Sequence, residues 1–389
     1  MSFKAVITGI GMVSAAGANT QETLDSFKTG RRSVGPVSIF DTALTCPVFE
    51  AKGFKPRDPR RFSRTLELTF HAVTEALQSC GLTQDIAKFK VGVCLGTTIA
   101  SQINDLEFYK TFRSQGQVPM EAIDRFLNGN LARALAGYLG VSGPCAVSVN
   151  ACSSGTDAVG IALSWLEAGI CDIAICGGAD ELNLVPLCGF NSLGVVSNVP
   201  CAPFDRDRKG LNLGEGAGVL VLENQEVSAK RGNKSRLYVA GYGIATDAYH
   251  LTAPRPDGTG LATAINMALQ QAGLKAADIG FINAHGTATR DNDKTEGAVL
   301  ARVFGPQVKF LSTKGFTGHT LGAAGGLEAG FSALALKEGW LPASPGFVNQ
   351  DPDIGVSPLT AVTDISAKYA MSTSLAFGGN NSALVLGID

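Results

Sequence analysis

Along this chain the hydrophobic pattern repeatedly changes period. Short β-branched apolar runs alternate with longer stretches in which apolar residues return every third or fourth position, the signatures of strands and amphipathic helices. In the first part the pattern predicts strands at 3–8, 91–96, 145–149, 172–177 and 217–223, with helices near 67–80, 121–139 and 153–168. In the second it predicts strands near 236–243, 279–284, 309–312, 369–376 and 382–388, with helices near 258–272, 293–303 and 320–338. Such alternation predicts layered α/β architecture. The opening "MSFKAVITGIGMVSAAGA" and "RLYVAGYGIATDA" at 236–248 share a β-branched run with paired glycines, read as a strand ending in a glycine turn. The recurrence suggests two related halves. They meet in the polar stretch near 225–235, giving an N-terminal half over 1–230 and a C-terminal half over 231–389. The irregular stretch 182–218 interrupts the first half and is long enough to act as a cap or part of a substrate channel.

Composition narrows the function classes. With 389 residues, 45% hydrophobic and 17% charged, the chain can bury a large core. Its 32 Lys+Arg against 34 Asp+Glu leave no broad basic footprint for nucleic acid, and the small cluster Arg60, Arg61 and Arg64 reads as a solvated helix face. Gly9 and Gly11 punctuate the N-terminal apolar run, so it reads as a strand and not a signal peptide. No segment is apolar for long enough to span a bilayer, and a soluble, cytoplasmic protein is expected. Nine scattered cysteines without a C-x-x-C pair disfavour a disulfide framework or a zinc site; most are expected to be reduced core thiols. "GIGMVSAAG" lacks the third glycine and the acidic residue of a dinucleotide site, so neither a metal nor a bound cofactor is expected.

One cysteine stands apart. In "VSVNACSSGTDAVGIALSWLEAG" a strand turns into a helix at Cys152, followed by Ser153, Ser154 and Gly155. A helix N-terminus biases a thiol towards thiolate, and small neighbours leave room for an acyl group. Of four histidines, His71 lies in an amphipathic helix and His250 in a proline-flanked loop, neither a persuasive setting. His285 ends a buried strand in "IGFINAHGTATRDND", and His319 precedes a glycine-rich helix in "FLSTKGFTGHTLGAAGG", five residues after Lys314. A thiol, two imidazoles and a lysine suit carbon–carbon bond formation on a thioester. Two neutral imidazole N–H groups would bind the oxygen of an enolate, and a nearby ammonium would keep the rings neutral.

These residues resemble the β-ketoacyl-acyl carrier protein synthases, the decarboxylating Cys-His-His condensing enzymes of the thiolase superfamily. The resemblance runs over essentially the whole chain and rests on "NACSSG", "AHGTAT", "KGFTGHTLGAAG", "AFGGNN" and "PFDRDRKGLNLGEGAG", in that family's order. It implies a five-layered αβαβα sandwich of two pseudo-symmetric halves, dimerising around the nucleophile. By resemblance Cys152 is acylated, His285 and His319 bind the malonyl carbonyl, and Lys314 supports the second histidine. Glu296 anchors the loop that carries Lys314. Thr287 and Thr289 contact the phosphopantetheine arm, and Phe204 falls among the substrate-binding positions. The N–H groups of Cys152 and Phe377 form the oxyanion hole, with Phe377, Gly378 and Gly379 as a mobile gate.

Phosphopantetheine would arrive on the acyl carrier protein as part of the malonyl and acyl thioesters. The chain would work as a homodimer, or as a heterodimer with a chain-length subunit. After "HGTAT" the run "RDND" departs from most relatives and brings Arg290 and Asp291 towards the mouth of the site, while Asp293 keeps an acidic position. With the chain's modest length, this counts against housekeeping fatty-acid elongation and makes a specialised polyketide or aryl-polyene synthase an alternative, so fatty-acid and polyketide or polyene biosynthesis both stay open. Ile99 to Leu106 is expected near the end of the acyl tunnel. Two other readings stay open: a coenzyme A thiolase, disfavoured because "SLAFGGNNSALV" has no second cysteine, and a non-catalytic chain-length partner, disfavoured by the intact Cys152, His285, Lys314 and His319.

Overall fold

The computed structural model describes residues 3–98 and 106–389. In its first half the chain forms β1 (Ala5–Ser14), α1 (Thr20–Thr29), α2 (Arg64–Ser79), β2 (Val91–Gly96), α3 (Leu106–Gln115), α4 (Glu121–Leu127), α5 (Leu131–Leu139), β3 (Cys145–Ser148), α6 (Ser154–Glu167), β4 (Ile173–Asp180), α7 (Leu184–Ser192), β5 (Gly216–Asn224) and α8 (Gln225–Lys230). The second half forms β6 (Leu237–Thr246), α9 (Thr259–Ala272), β7 (Ile279–Asn283), α10 (Arg290–Phe304), β8 (Phe310–Leu311), α11 (Lys314–Thr317), α12 (Ala324–Glu338), the short pair β9 (Trp340–Leu341) and β10 (Thr363–Asp364), then β11 (Tyr369–Ala376) and β12 (Asn380–Ile388).

The sheet order β3-β2-β4-β5-β1-β6-β12-β11-β7-β8 reads the same from either end once the halves are exchanged. In each half the three outer strands are parallel and the two inner ones antiparallel. The halves are joined through β1 and β6 at only Ala5–Val239 and Val6–Tyr238. Three apolar cores fill the gaps between layers. One lies between α2 and the first half-sheet, one between α9, α10 and the second, and the third surrounds α6 and α12 between the two half-sheets. The result is five layers, as in the expected αβαβα sandwich. α12, buried from Ala324 to Leu336, is apolar on nearly every side because sheet lies on both of its faces.

The paired glycines do not end their strands, contrary to the expected turn: β1 and β6 run through them. Their role is close approach. A Cβ on Gly11 would lie 1.8 Å from Ala72 O of α2, and one on Gly243 2.0 Å from Ala264 O of α9. The same device therefore seats the outer helix in both halves.

Other boundaries moved for local reasons. The helix expected over 121–139 breaks at Asn128–Asn130, where Asn130 caps α5 by accepting from Arg133 N. The stretch 182–218 contains α7, whose sequence "LVPLCGFNS" carries Pro and Gly and no clear apolar stripe. Of the stretch expected beside the acyl tunnel, residues 99–105 lie outside the described residues, and Leu106 opens α3. No helix among the described residues is long and apolar enough to cross a membrane. All nine cysteines are free and seven are buried; Cys145 and Cys188 are exposed.

Candidate active site

Beyond β3 the chain makes a sharp elbow. Ala151 takes φ 49°, a left-handed conformation costly for a residue with a Cβ, and this swings Cys152 onto the start of α6. α6 then closes on the turn before α12 through glycine contacts: a Cβ on Gly155 would lie 2.6 Å from Gly322 O. That approach brings His319 Nε2 to 3.1 Å from Cys152 Sγ. Cys152 Sγ and one ring nitrogen of each of His285 and His319 lie within 4.8 Å of one another, with the two rings nearly perpendicular at 86°.

The ring protons follow from what each Nδ1 meets. His319 Nδ1 accepts from Leu321 N at 3.3 Å, in a turn where Leu321 itself has φ 51°. His285 Nδ1 faces Lys314 Nζ at 3.1 Å. Both rings therefore carry their proton on Nε2. Burial first, then the Lys314 ammonium, holds both imidazoles well below the ordinary histidine range, so they stay neutral. The same ammonium 3.1 Å from His285 also opposes a metal cation among these three donors.

One expected role is corrected by the contacts and one is extended. Lys314 touches His285 directly, and its charge also lowers the pKa of His319, the second histidine it was expected to support. Glu296 does not anchor the lysine loop: its carboxylate accepts from His285 N and Gly286 N, both at 2.8 Å, and from Thr373 Oγ1 at 2.7 Å. It thus fixes the backbone that carries His285. The carboxylate on Lys314 is Glu328 of α12, at 2.5 Å, which burial pushes up to about 7 against the pull of that lysine. Glu328 was missed in the sequence, although one acid inside the apolar run "AGGLEAGFSALAL" is a signal that the helix meets a buried cation.

The thiolate bias expected at the helix start is also overruled. Cys152 is 3% exposed, and burial pushes its thiol up to about 11, although Lys314 and a hydrogen bond from Phe377 N–H pull the other way. Loss of solvation is the largest influence on the sulfur and favours the thiol over the thiolate.

Cys152, His285 and His319 line one cleft together with Thr287, Thr289 and Asp291. Thr287 and Thr289 hydroxyls are 2.9 Å apart, and Ala288 between them has φ 66°. Of the RDND run, Asp291 faces the cleft, while the Arg290 carbonyl is held by Arg208 and Asp293 accepts from Phe204 N and Ala288 N. Phe204, expected to touch substrate, instead lies behind the cleft. It is 1% exposed, packs edge-on to Phe310, and leaves no room for a side chain at Gly286. Phe190 of α7, absent from the sequence reading, stacks on Phe377 with ring centroids 5.3 Å apart and flanks His319. Gly378 and Gly379, at φ 89° and 82°, make the turn after Phe377 one that side chains rarely adopt.

Family comparison agrees with this geometry. The model "Beta-ketoacyl synthase, N-terminal domain" matches residues 3–228 and "Beta-ketoacyl synthase, C-terminal domain" matches 237–348. The chain belongs to the β-ketoacyl synthase family. It is 33% identical to a 3-oxoacyl-[acyl-carrier-protein] synthase 2 of Staphylococcus aureus (strain N315), over 98% of this chain and 97% of that one. It is also 33% identical to the protein so named in Synechocystis sp., again over 98% and 97%. Among solved structures, the ishigamide ketosynthase/chain length factor superposes with a TM-score of 0.94 at 31% identity, covering 100% of both chains. The ketosynthase (ApeO) in complex with its chain length factor (ApeC) from Xenorhabdus doucetiae gives 0.85 at 32% identity, over 100% of this chain and 98% of that one.

Proposed function

We propose that this protein condenses an acyl group held on Cys152 with a malonyl group delivered on acyl carrier protein, losing carbon dioxide and giving a β-ketoacyl-acyl carrier protein. The observation that carries the reading is the pair of neutral imidazoles, each with its Nδ1 occupied, beside one buried thiol. In the first half-reaction the Cys152 sulfur attacks the primer thioester. The N–H groups of Cys152 and Phe377 hold the oxyanion, and the thiol proton leaves with the phosphopantetheine sulfur. In the second, the Nε2–H groups of His285 and His319 bind the malonyl carbonyl oxygen. The bond to the carboxylate breaks, carbon dioxide departs, and the enolate carbon attacks the acyl-cysteine carbonyl. The Cys152 sulfur leaves as a thiolate and takes up one proton from solvent, which balances the negative charge lost when the carboxylate departs as carbon dioxide. Thr287 and Thr289 guide the phosphopantetheine arm, which arrives with the substrate, and Phe377, Gly378 and Gly379 act as the gate.

A second subunit belongs to this reading, either a copy of the chain or a chain-length partner. β3 is one edge of the sheet, with Cys145 and the following Val149 exposed, and Phe126, Leu127 and Tyr138 of the neighbouring segments are exposed as well. The test is mass spectrometry of enzyme and carrier protein after mixing with medium-chain acyl-carrier protein and malonyl-carrier protein. An adduct on Cys152 with a β-keto product two carbons longer is expected. An adduct without product would assign the missing step to a partner subunit, and no adduct across a panel of primers would sink the reading in favour of a non-catalytic partner.

A further inference from the structure

One buried carboxylate beside the nucleophile has no part in that chemistry. Asp157, in the first turn of α6, is 3% exposed and accepts four hydrogen bonds. Its Oδ2 takes Asn150 Nδ2 at 2.7 Å and Ser153 Oγ at 2.9 Å, both from the elbow. Its Oδ1 takes the Tyr242 hydroxyl at 2.8 Å, from β6, and the Ser382 hydroxyl, from β12. Burial and the adjoining carboxylate hold the Tyr242 hydroxyl protonated, so it donates. α6 is recessed to admit that ring: a Cβ on Gly160 would lie 2.4 Å from it. A buried carboxylate is costly unless its oxygens are filled, and this one is filled from both halves of the molecule.

The link to the reaction runs through Asn150. Its amide donates to Asp157 on one side, and its Oδ1 accepts from Asn380 Nδ2 at 2.5 Å on the other. Asn380 directly follows the Gly378–Gly379 turn, and Asn150 is followed by strained Ala151 and then Cys152. One side chain therefore touches both segments that supply oxyanion donors. We propose that Asp157 is a positioning residue: through Asn150 it holds the elbow and the Phe377 turn in register, so that the Cys152 and Phe377 N–H groups face one acyl oxygen. This rests on the condensing reaction proposed above.

The test separates the two half-reactions. Acyl transfer to Cys152 needs the aligned N–H pair, whereas primer-free decarboxylation of malonyl-carrier protein needs the two imidazoles. In Asp157→Asn one acceptor oxygen is replaced by an NH2 group that confronts two donors. Acyl transfer should fall on the order of 10²-fold, with decarboxylation close to the wild-type rate. Asn380→Ala, which frees only the gate side of Asn150, should give a smaller loss confined to the same step. Should Asp157→Asn fail to fold, Asn380→Ala and Tyr242→Phe carry the same comparison. Parallel loss of both half-reactions, or unchanged acyl transfer in the folded variants, would overturn the proposal. Wild-type enzyme that performs neither half-reaction would instead remove the condensing reading beneath it.

Discussion

The two halves share one plan and do different chemistry. β1 with α2 and β6 with α9 are built alike, down to glycines pressed against alanine carbonyls. α6 and α12 stand side by side in the central layer, each entered from an outer parallel strand, β3 or β8. The first entry loop supplies Cys152. The second supplies Lys314 and His319, and the loop after β7 adds His285. Strand ends facing the same central layer have thus diverged into a thiol on one side and two imidazoles with their lysine on the other. The scaffold can repeat because packing depends on shape alone, whereas a condensation needs unlike groups converging on one carbonyl.

Removing the unlike groups should break this contrast most sharply. Cys152→Ala is expected to abolish both the acyl adduct and condensation while the protein still folds, read by intact mass and circular dichroism. His285→Ala or His319→Ala should lower decarboxylation by roughly 10²–10³-fold, each taking away one oxyanion donor, with Cys152 still able to accept an acyl group. Lys314→Met should weaken turnover and reshape its pH profile. With the ammonium present both imidazoles titrate well below 6.5, so protonation removes no activity near neutrality. Without it their pKa values rise, and an acid limb should move up towards neutral pH in a plot of decarboxylation rate.

The shared scaffold can be tested by matched lesions. Gly11→Val and Gly243→Val each drive a side chain into a helix carbonyl at equivalent places, and each should cost about 3 kcal/mol or more. Denaturant titration giving one large and one negligible loss would mean that the halves are alike in outline only. The smallest effect concerns the resting thiol. With its pKa pushed to about 11, Cys152 alkylation by iodoacetamide should keep climbing through pH 9 to 10; a plateau near pH 7 would show that the helix end prevails over burial.

What the sequence determined by itself was whatever depends on neighbours along the chain. Period changes located most strands and helices, the repeated glycine pairs revealed two halves, and motif order picked out Cys152, His285 and His319. Local pattern also misled: Gly9 and Gly11 looked like a turn because a strand glycine and a turn glycine are written alike, and α7 went unseen for want of an apolar stripe. Only the tertiary structure decided the rest. That Lys314 serves His285, that Glu328 rather than Glu296 meets it, that Asp157 gathers donors from both halves, and that Cys152 rests as a thiol all depend on atoms about 3 Å apart from residues far apart in the chain. They depend equally on the exclusion of water, which packing creates and no run of neighbouring residues encodes.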